Sequence, residues 1–532
     1  GRQRDDNGNW FGCNNLIPVR HYVLGDHYVR RNPLLAVPSL SRDIAPNGAT
    51  QVFPISNVLS HWSDYVPPGP GQPHRFTAAA GVGVYRDTVL GDSFYGNTFT
   101  CDSVLNAVHR RTLTPNGVTF ISDRPPEESN REFLASSDPW FRPTTATTGP
   151  DGALYITDMY RLVIEHPEWI DDQHEQEIFV RAGHDRGRIY RIRPDGGDLR
   201  DAPRWSKLSS TGLVETFRSP NGRVRDTAQR LLVQRADPAS IQPLRQMALS
   251  SDNFLARLHA LCTLDGIGKI DREILSSALQ DDHPTVCRHA IRIAERTSSE
   301  NRQEMLSLLI PLAKHADAQV RLQLACSLGY WTDQQATETL AKLAAGGESY
   351  LRSAALSSVS EQTLPDFYSA VVALGPTANS LRPAVIEMVS RAGGDLADQI
   401  LGRFVDQIKA ESISAYELNE LNRMLSARGD SLASIADKTR AKIGSIADRE
   451  FSRLAEQRTA DLDDPVRITA TIRLLSNVSG DRFSKRRDAL LAHFSSVDQI
   501  KTAEVSELAS IPGVGQSAAE AVKLYFSSEA SA

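Results

Sequence analysis

The chain has 532 residues, 40% of them hydrophobic and 23% charged, which is an ordinary composition for a globular protein with several domains. The net charge of −6 at pH 7 excludes a protein whose whole surface binds nucleic acid or anionic lipid, but it permits a small basic site. The five cysteines lack the spacing of zinc and c-type haem sites, and no apolar run of roughly 18 residues predicts a transmembrane segment.

Three textures divide the chain, and we interpret them as three domains: residues 1–200, 201–470 and 471–532. The first is rich in turn-forming and aromatic residues, the second in Leu, Ala, Arg and Gln, and the third in short helical stretches around a glycine turn. Because the chain begins at Gly1 within a polar segment, we expect an upstream part, with any signal peptide, to precede it.

Short β-prone runs alternate with turn signals throughout residues 1–200. The turn at residues 114–117 has β-prone residues on both sides and predicts a hairpin. The turn at residues 149–152 leads into a predicted buried strand at 153–158, and residues 187–192 predict another strand. Short strands separated by turns and long polar loops are typical of propeller blades or of a β-sandwich.

Histidines, tryptophans and arginines are denser in this part than a sandwich core requires. One interpretation is a polar pocket at one mouth of a propeller. The alternative is that these loop side chains hydrogen-bond to the backbone of long loops. No metal-ligand spacing such as H-x-x-x-H is present, so the residues themselves predict no metal site.

Ten stretches of this part are similar to one known family, and they are residues 1–5, 9–12, 21–24, 26–28, 30–33, 131–136, 140–143, 149–160, 164–170 and 181–188. Together they resemble the membrane-bound dehydrogenase-like family of planctomycetes and their relatives. In that family a propeller similar to quinoprotein sugar dehydrogenases precedes a HEAT region, which a c-type cytochrome domain often follows.

The resemblance implies a six-bladed propeller, of which this chain keeps roughly the second half, so a partial β-propeller is expected. It also implies oxidation of a sugar or alcohol, with PQQ and calcium as cofactors, in an exported, periplasmic protein. The candidates for the pocket lining are Arg142, Asp158, Glu165 and His166. Because half a propeller cannot close its ring, we expect the chain to be inactive alone.

Residues 201–470 carry a repeat, in which five similar segments begin with an apolar residue. These begin at Val224, Ala256, Val286, Val320 and Leu351, and are spaced by 32, 30, 34 and 31 residues. Self-similarity at this period is typical of helix pairs stacked in a HEAT-type α-solenoid. A polar residue before each segment is predicted to cap the second helix of its pair. These residues are Asn221, Asp252, Asp282, Asp317 and Glu348.

The repeat becomes degenerate between about residues 395 and 460, and residues 464–470 resemble one more copy. A solenoid of this kind presents an extended concave surface. The non-enzymatic hypothesis for the chain is therefore a scaffold that binds a protein partner on the HEAT concave face.

Residues 511–515, Ile-Pro-Gly-Val-Gly, lie between two short helical stretches and predict a helix-hairpin-helix motif in a small α-helical domain. Its glycines allow a tight turn, and the amides that start the next helix can bind a DNA phosphate. Residues 485–526 resemble the hairpin domain of UvrC-type excision-repair proteins, which implies duplex DNA as partner and a cytoplasmic protein. The candidate DNA-binding residues are Lys485, Arg486, Arg487, Gly513, Val514, Gly515 and Gln516.

The charge of this last part is unfavourable for DNA, because residues 481–532 hold six basic side chains and seven acidic ones. The alternative is that the hairpin is a packing unit between helices. Three hypotheses therefore stay open: a fragment of a dehydrogenase-like protein, a protein-binding scaffold, and a DNA-binding protein that acts through its hairpin.

Overall fold

The computed structural model describes part of the chain, in the following ranges: 1–45, 51–57, 73–164, 172–173, 179–296, 301–392, 394–407, 415–427, 439, 441–446, 449, 493–494, 497–512, 514–516, 519–520 and 522–523. The chain packs as two compact units. Unit 1 comprises Gly1–Arg31, Val37–Trp331 and Gly346–Ser358, and unit 2 comprises Asn32–Ala36, Thr332–Ala345 and Val359–Ala532. In these ranges no helix has the length and apolar character needed to span a bilayer. The predicted domain boundaries at residues 200 and 470 stay predictions.

Unit 1 begins with a four-stranded antiparallel sheet in the order β1-β2-β3-β4. Its elements are β1 (Arg2–Arg4), β2 (Trp10–Asn14), β3 (Ile17–Tyr22), the short helix α1 (Asp26–Val29) and β4 (Ser41–Asp43). Successive side chains of a strand point to opposite faces, so Phe11 and Val19 point inward and pack with Val84 and Phe120 of the next sheet.

Three further antiparallel sheets complete the β-rich part of unit 1. Their strands are β5 (Gln51–Val52) and β6 (His74–Arg75); β7 (Ala79–Val84), β8 (Thr98–Asp102), β9 (Ala107–Asn116), β10 (Thr119–Asp123) and β11 (Leu134–Ala135); and β12 (Pro143–Thr148), β13 (Leu154–Asp158) and β14 (Arg188–Ile192). We call β1 to β14 with their loops the sheet part.

The predicted hairpin is confirmed, because Asn116 of β9 pairs with Thr119 of β10. Gly117, in the turn between them, has a φ of +62°, a conformation that favours glycine. The predicted strands at 153–158 and 187–192 correspond to β13 and β14. The N-terminal part is therefore rich in sheets, as expected, while the partial propeller stays a prediction.

Helical repeats follow from residue 210. The helices of unit 1 are α2 (Ser210–Glu215), α3 (Gly222–Arg235), α4 (Ile241–Ser250), α5 (Phe254–Gly266), α6 (Arg272–Leu279), α7 (Pro284–Ala294), α8 (Arg302–Leu309), α9 (Ala318–Ser327) and α11 (Ser349–Ser357). Those of unit 2 are α10 (Gln334–Ala345), α12 (Leu364–Ala373), α13 (Arg382–Ala392), α14 (Gly394–Gln407), α15 (Ala415–Ala427), α16 (Val497–Thr502) and α17 (Val505–Ser510). In unit 1 the second helices of successive pairs, α3, α5, α7 and α9, pack side by side, as the predicted solenoid requires.

The predicted helix caps are confirmed at two repeats. The side chains of Asn221 and Asp317 each accept a hydrogen bond of 2.9 Å from the main-chain N–H three residues later. These bonds satisfy amides that have no partner within the helix. Glu348 also precedes its helix, but it makes no capping hydrogen bond and accepts one from the N–H of Val118 instead, at 3.3 Å.

At two other repeats the predicted caps are wrong by one residue. Asn253, not Asp252, caps α5, and His283, not Asp282, caps α7. In both cases the cap stands three residues before the apolar residue of the repeat, as it does at Asn221. The cap is therefore determined by its position relative to the helix and not by the type of side chain.

An arginine directly after the apolar residue recurs in the repeats, and the structure explains why. Arg225 and Arg257 each donate a hydrogen bond to the carbonyl oxygen six residues earlier, at 2.6 and 2.8 Å. Arg321 makes the same contact in its repeat. Each bond fastens the loop that enters a helix to the first turn of that helix.

The described end of unit 2 forms a small apolar core around α16 and α17. Its buried members are Phe494, Ile500, Ala503, Leu508, Ile511, Val514 and Ala519. The N–H of Val514 donates to the carbonyl of Ile511 at 3.0 Å, and Gly515 has a φ of +67°. This is a tight turn between helical segments, as the hairpin motif predicts.

Candidate binding cleft between the sheet part and the repeats

The sheet part and α3 are joined by a buried network of charges. Arg86, in the loop between β7 and β8, donates to the Asp6 carboxylate at 2.8 Å and to the Asp226 carboxylate at 2.6 Å. Arg225, whose side chain is fully buried, pairs with Asp6 as well. Burial alone would raise the pKa of Asp6, but the charges of Arg86 and Arg225 outweigh it and hold that pKa far below 3.8.

Main-chain contacts reinforce this network at the start of α3. Asn221 caps the helix with its oxygen while its side-chain N–H groups donate to Asp87 at 2.6 Å and to the Gly149 carbonyl at 2.8 Å. The N–H of Gly222 donates to the carbonyl of Arg86 at 2.8 Å. One residue of the repeat therefore fixes both its own helix and two loops of the sheet part.

The β1–β2 turn lies against α7. The side chain of Arg288 donates to Asn9 Oδ1 at 2.8 Å and also to the main-chain carbonyl of Asn7. His289 Nε2 lies 3.3 Å from that same carbonyl. Gly8 has a φ of +85°, and a Cβ atom there would lie 2.8 Å from His289 Nε2. Only glycine allows the turn to approach the helix this closely.

Contacts between the N-terminal segment and the repeats extend to α9 and α11. Tyr28 of α1 donates to Glu295 at 2.5 Å, and Glu295 also accepts from Ser327 of α9 at 2.6 Å. Tyr350 of α11 donates to the carbonyl of Ser41 at 3.1 Å. Residues 1–31 and 41–43 therefore contact four helices of the array, α3, α7, α9 and α11. We call these contacts, together with those of Arg86 with Asp6 and Asp226, the junction.

A cleft of about 880 Å³ remains between the four-stranded sheet and the helices α3, α5, α7 and α9. The residues that line it from the sheet part are Arg2, Arg4, Gly8, Asn9, Trp10, His21, Tyr22, Val23, Leu24, Gly25, Asp26, Tyr28, Leu40 and Val118. Those from the helices are Gln229, Cys262, Asp265, Arg288, His289, Arg292, Gln319, Leu322, Gln323 and Cys326.

Two histidines of the cleft are uncharged near neutral pH. Burial, and then the positive charge of Arg288, lower the pKa of His21 to about 3. Burial, Arg288 and Arg292 lower the pKa of His289 to about 3 as well. The Nδ1 atom of His289 has no hydrogen-bond partner among the described residues. The charge of the cleft is therefore set by its arginines and its two aspartates.

A second, smaller cavity of about 220 Å³ adjoins the cleft, and Arg2, Arg4 and Trp10 line both. Arg86 and Asp226 of the junction also line the smaller cavity. The side chain of Trp10 is 47% exposed, which is unusual for so large an apolar group. The two cavities thus share a rim of arginines and one exposed aromatic ring.

Of the predicted pocket residues, Arg142 and Asp158 are described, and they line neither cavity. The Arg142 guanidinium donates to main-chain carbonyl oxygens of four residues, 103, 104, 161 and 162. Asp158 accepts from the N–H groups of Arg142 and Tyr160, both at 2.8 Å, and from Arg188 at 2.7 Å. These contacts agree with the alternative that polar side chains hold the loops.

Glu165 and His166 lie outside the described residues, so the predicted pocket stays a prediction. Among the residues that the structure describes, no three His, Cys, Asp or Glu side chains are placed to hold a metal ion. Asp158 already accepts three hydrogen bonds, so its carboxylate is engaged by the neighbouring loops.

The predicted DNA-binding residues are described only in part. Val514 is buried in the apolar core, while Gly515 is exposed and a Cβ atom there would meet nothing within 4 Å. Gln516 is exposed and donates to Glu520 at 2.9 Å. Residues 485–487 and Gly513 lie outside the described residues. DNA binding by this set therefore stays a prediction.

The sequence indicates the cleft only in part. Trp10 and His21 belong to the dense set of aromatic residues and histidines that favours a polar pocket, whereas nothing in the sequence singles out Arg2, Arg4, Arg288 or Arg292 for binding. A usable signal was present in α7, where arginines four residues apart must lie on the same helix face. Nothing in the sequence indicated that the first strand would lie opposite that face.

Comparison with known families finds three matches. The family described as a domain of unknown function, DUF7133, matches residues 1–196, HEAT repeats match residues 210–296, and a helix-hairpin-helix motif matches residues 484–532. The chain therefore has a DUF7133 domain, HEAT repeats and a helix-hairpin-helix motif. None of these matches shows a dehydrogenase or a UvrC protein.

No curated protein matches the chain. Among solved structures, a designed armadillo repeat protein in complex with the peptide (KR)4 is 14% identical, covering 51% of this chain and 100% of its own, with a TM-score of 0.19. An engineered protein is 17% identical, covering 51% and 97%, with a TM-score of 0.18. At such TM-scores neither likeness bears on the fold or function of this chain.

Proposed function

We propose that this protein is a non-enzymatic interaction scaffold, whose cleft between the sheet part and helices α3 to α9 binds a segment of a protein partner. The observation that carries the proposal is the cleft itself, which has about 880 Å³ of space between two walls. Buried ion pairs between Arg86, Asp6 and Asp226 fasten those walls together. A preformed site of this kind binds without the cost of ordering its own walls.

The dimensions of the cleft favour a chain segment over a compact ligand. Four neighbouring helices contribute to its lining. At the usual 8–10 Å between packed helix axes, it extends over roughly 24–30 Å. An extended polypeptide rises about 3.3 Å per residue, so roughly seven to nine residues span that length.

Cross-linking of the full chain to proteins from its source, followed by mass spectrometry, tests the proposal. We expect one partner whose cross-links map to residues around the cleft, and whose capture is weakened by Leu322→Glu at the cleft. Arg272→Glu, on the exposed side of α6, is the matched control and should leave capture unchanged. Cross-links that map elsewhere, or equal loss with both variants, would contradict the proposal.

The activity implied by the family resemblance supplies a competing outcome. Oxidation of a sugar or alcohol by the chain with added PQQ and calcium would show an enzyme and not a scaffold. Arg142 and Asp158 are engaged by neighbouring loops, so we expect no turnover above that of the Arg142→Lys variant. Dye reduction with glucose and sorbosone as substrates measures this.

Binding of duplex DNA through the hairpin is a second candidate function. The helix-hairpin-helix motif supports it, and so does the open space at Gly515, where a phosphate could approach the main chain. Fluorescence anisotropy of a labelled duplex, titrated with the full chain at increasing salt, tests it. Binding that weakens with salt and is lost in Gly515→Val would support this candidate, and no binding at low salt would overturn it.

A further inference from the structure

We infer that the partner segment is acidic, and that its carboxylates bind the arginines of the cleft, chiefly Arg292, Arg288 and Arg2. This inference rests on the proposed function and names the chemistry of the partner at the same site. Guanidinium groups bind carboxylates through paired hydrogen bonds, so an arginine-lined cleft selects acidic side chains.

The charge of the cleft is not balanced by its own acids. Four arginines line it, whereas the acids are Asp26 and Asp265. Asp26 pairs with Arg30 at 2.7 Å and Asp265 with Arg296 at 2.6 Å, and neither of those arginines lines the cleft. The aspartates are therefore neutralised from outside, and the charge of the lining arginines remains.

Three lining arginines, Arg2, Arg288 and Arg292, make no ion pair within the described parts of the chain, and Arg292 bonds to the thiol of Cys262. Arg288 donates hydrogen bonds only to neutral oxygens, those of Asn7, Asn9 and Gln319, while the charges of Asp5 and Asp317 act on it without direct contact. Arg2 lies over the ring of Tyr22, with its guanidinium carbon 4.0 Å from the ring centre. Neutral acceptors hold a guanidinium in place without cancelling its charge. These side chains are thus positioned and still positively charged.

The positive charges converge on one part of the cleft. Besides burial, the charges of Arg288, Arg292 and Arg4 all lower the pKa of His289. Arg292 and Arg4 also act on Cys262 of the neighbouring helix. Charges that act on the same side chains lie near one another, and a bound carboxylate there would face more than one of them.

The adjoining cavity is also lined by arginines. Arg2 and Arg4 line it as well, and its one acid, Asp226, already pairs with Arg86. Trp10, at the rim that both cavities share, offers an exposed aromatic ring. Aromatic side chains and arginines are the residues that most often dominate the binding energy of an interface. An acidic segment with an apolar residue fits this rim.

The test uses fluorescein-labelled peptides of six glutamates and of six glutamines, titrated with the full chain and followed by fluorescence anisotropy at constant ionic strength. We expect saturable binding of the glutamate peptide and weaker or no binding of the glutamine peptide. Arg292→Gln should weaken the glutamate peptide roughly tenfold to hundredfold, because a charged hydrogen bond is lost. Arg230→Gln, an exposed position outside both cavities, should leave it unchanged.

Arg2→Gln is the second variant, and it keeps the inference testable if Arg292→Gln does not fold, because Arg2 is exposed. No binding of the glutamate peptide would overturn the inference, and so would equal weakening by Arg292→Gln and Arg230→Gln. If both peptides bound the cleft equally well, and Arg292→Gln weakened neither of them, the partner segment would not need to be acidic. That result would overturn this inference and leave the proposed scaffold standing. The cross-linking experiment decides the scaffold separately.

Discussion

Charged side chains make the contact between the sheet part and the repeats in unit 1, whereas apolar side chains close the hairpin in unit 2. At the junction, Arg86 and Asp6 are both largely buried, and Arg86 pairs with Asp6 and with Asp226. In the hairpin, the buried cluster runs from Phe494 to Ala519 and contains only apolar residues. Removing one partner of a buried ion pair leaves the other charge buried without a partner, which lowers the free energy of unfolding. In an apolar core the free energy of unfolding falls with the volume of side chain that is removed.

The two regions also differ in the sequence distance that they bridge. Asp6 and Arg225 are separated by more than two hundred residues, but the hairpin closes within about thirty. Local patterns such as a glycine turn between short helices can be recognised in one sequence. A pairing between distant charges cannot, because each charge alone looks like a solvated surface residue.

The largest expected effect comes from removing the arginine shared by the network. We expect Arg86→Met to destabilise unit 1 by roughly 3–5 kcal/mol, because it leaves buried carboxylates with fewer partners. All six tryptophans lie within the ranges of unit 1, so urea unfolding followed by tryptophan fluorescence reports on this unit. Arg191→Met, which removes a half-exposed ion pair with Asp151, is the control and should cost less than roughly 1 kcal/mol.

The matching change in the hairpin is Leu508→Ala. Leu508 is fully buried in the apolar core, so its truncation should cost roughly 2–5 kcal/mol locally. Amide hydrogen exchange of α17, measured by mass spectrometry, should rise, while tryptophan fluorescence of unit 1 stays the same. Ser506→Ala, at an exposed position on the same helix, is the control. Equal exchange in the two variants would show that this core does not stabilise the hairpin.

The next largest expected effect is on the pH dependence of stability, which should differ between the two regions. Burial, and then the charge of Arg225, lower the pKa of His259 from 6.5 to about 3. Below pH 6.5 the unfolded chain therefore binds a proton that the folded chain does not, and stability falls as the pH falls towards 3. At pH 5.5 this one histidine should cost roughly 1.4 kcal/mol.

His259→Gln should reduce the fall in the free energy of unfolding of unit 1 between pH 7.5 and 5.5 by about that amount, as measured by urea unfolding at each pH. Leu508→Ala provides the comparison, because its apolar contact has no proton to gain and the slope for unit 1 should stay that of the original chain. Parallel slopes for His259→Gln and the original chain would mean that folding does not lower the pKa of His259.

The smallest expected effect tests the corrected helix caps. Asn253→Ala should destabilise unit 1 by about 1 kcal/mol, because two main-chain N–H groups at the start of α5 lose their acceptor. Asp252→Ala, one residue earlier, should cost less than about 0.5 kcal/mol, since its side chain is 94% exposed. Thermal unfolding followed by tryptophan fluorescence measures both. A larger loss of stability in Asp252→Ala than in Asn253→Ala would show that Asp252 is the residue that caps α5.

Much of the fold could be predicted because it depends on nearby residues. The spacing of Val224, Ala256 and Val286 set the helix register, and the turn before Gly117 set the hairpin of β9 and β10. Residue type does not predict the caps at Asn253 and His283, because the adjacent aspartates are at least as favourable at a cap position. Geometry, and not residue type, distinguishes the two positions.

The cleft could not be predicted, for a physical reason. Arg292 lies on a helix face that an isolated solenoid would expose to solvent, and its environment depends on the position of β1. The pocket prediction for Arg142 came from a family resemblance, which does not indicate the hydrogen bonds that its guanidinium donates to loop carbonyl oxygens. In both cases the neighbours that decide the role are distant in sequence.

The central claim is that the junction fastens the sheet part to the repeats, so that both walls of the cleft belong to one cooperative unit. Native-state hydrogen exchange of β3 and α7, which both line the cleft, in the original chain and in Arg86→Met tests it most directly. We predict that the amides of both elements lose the same free energy of protection in the variant. Loss of protection in β3 alone, with α7 unchanged, would contradict the claim and show that the two walls fold independently.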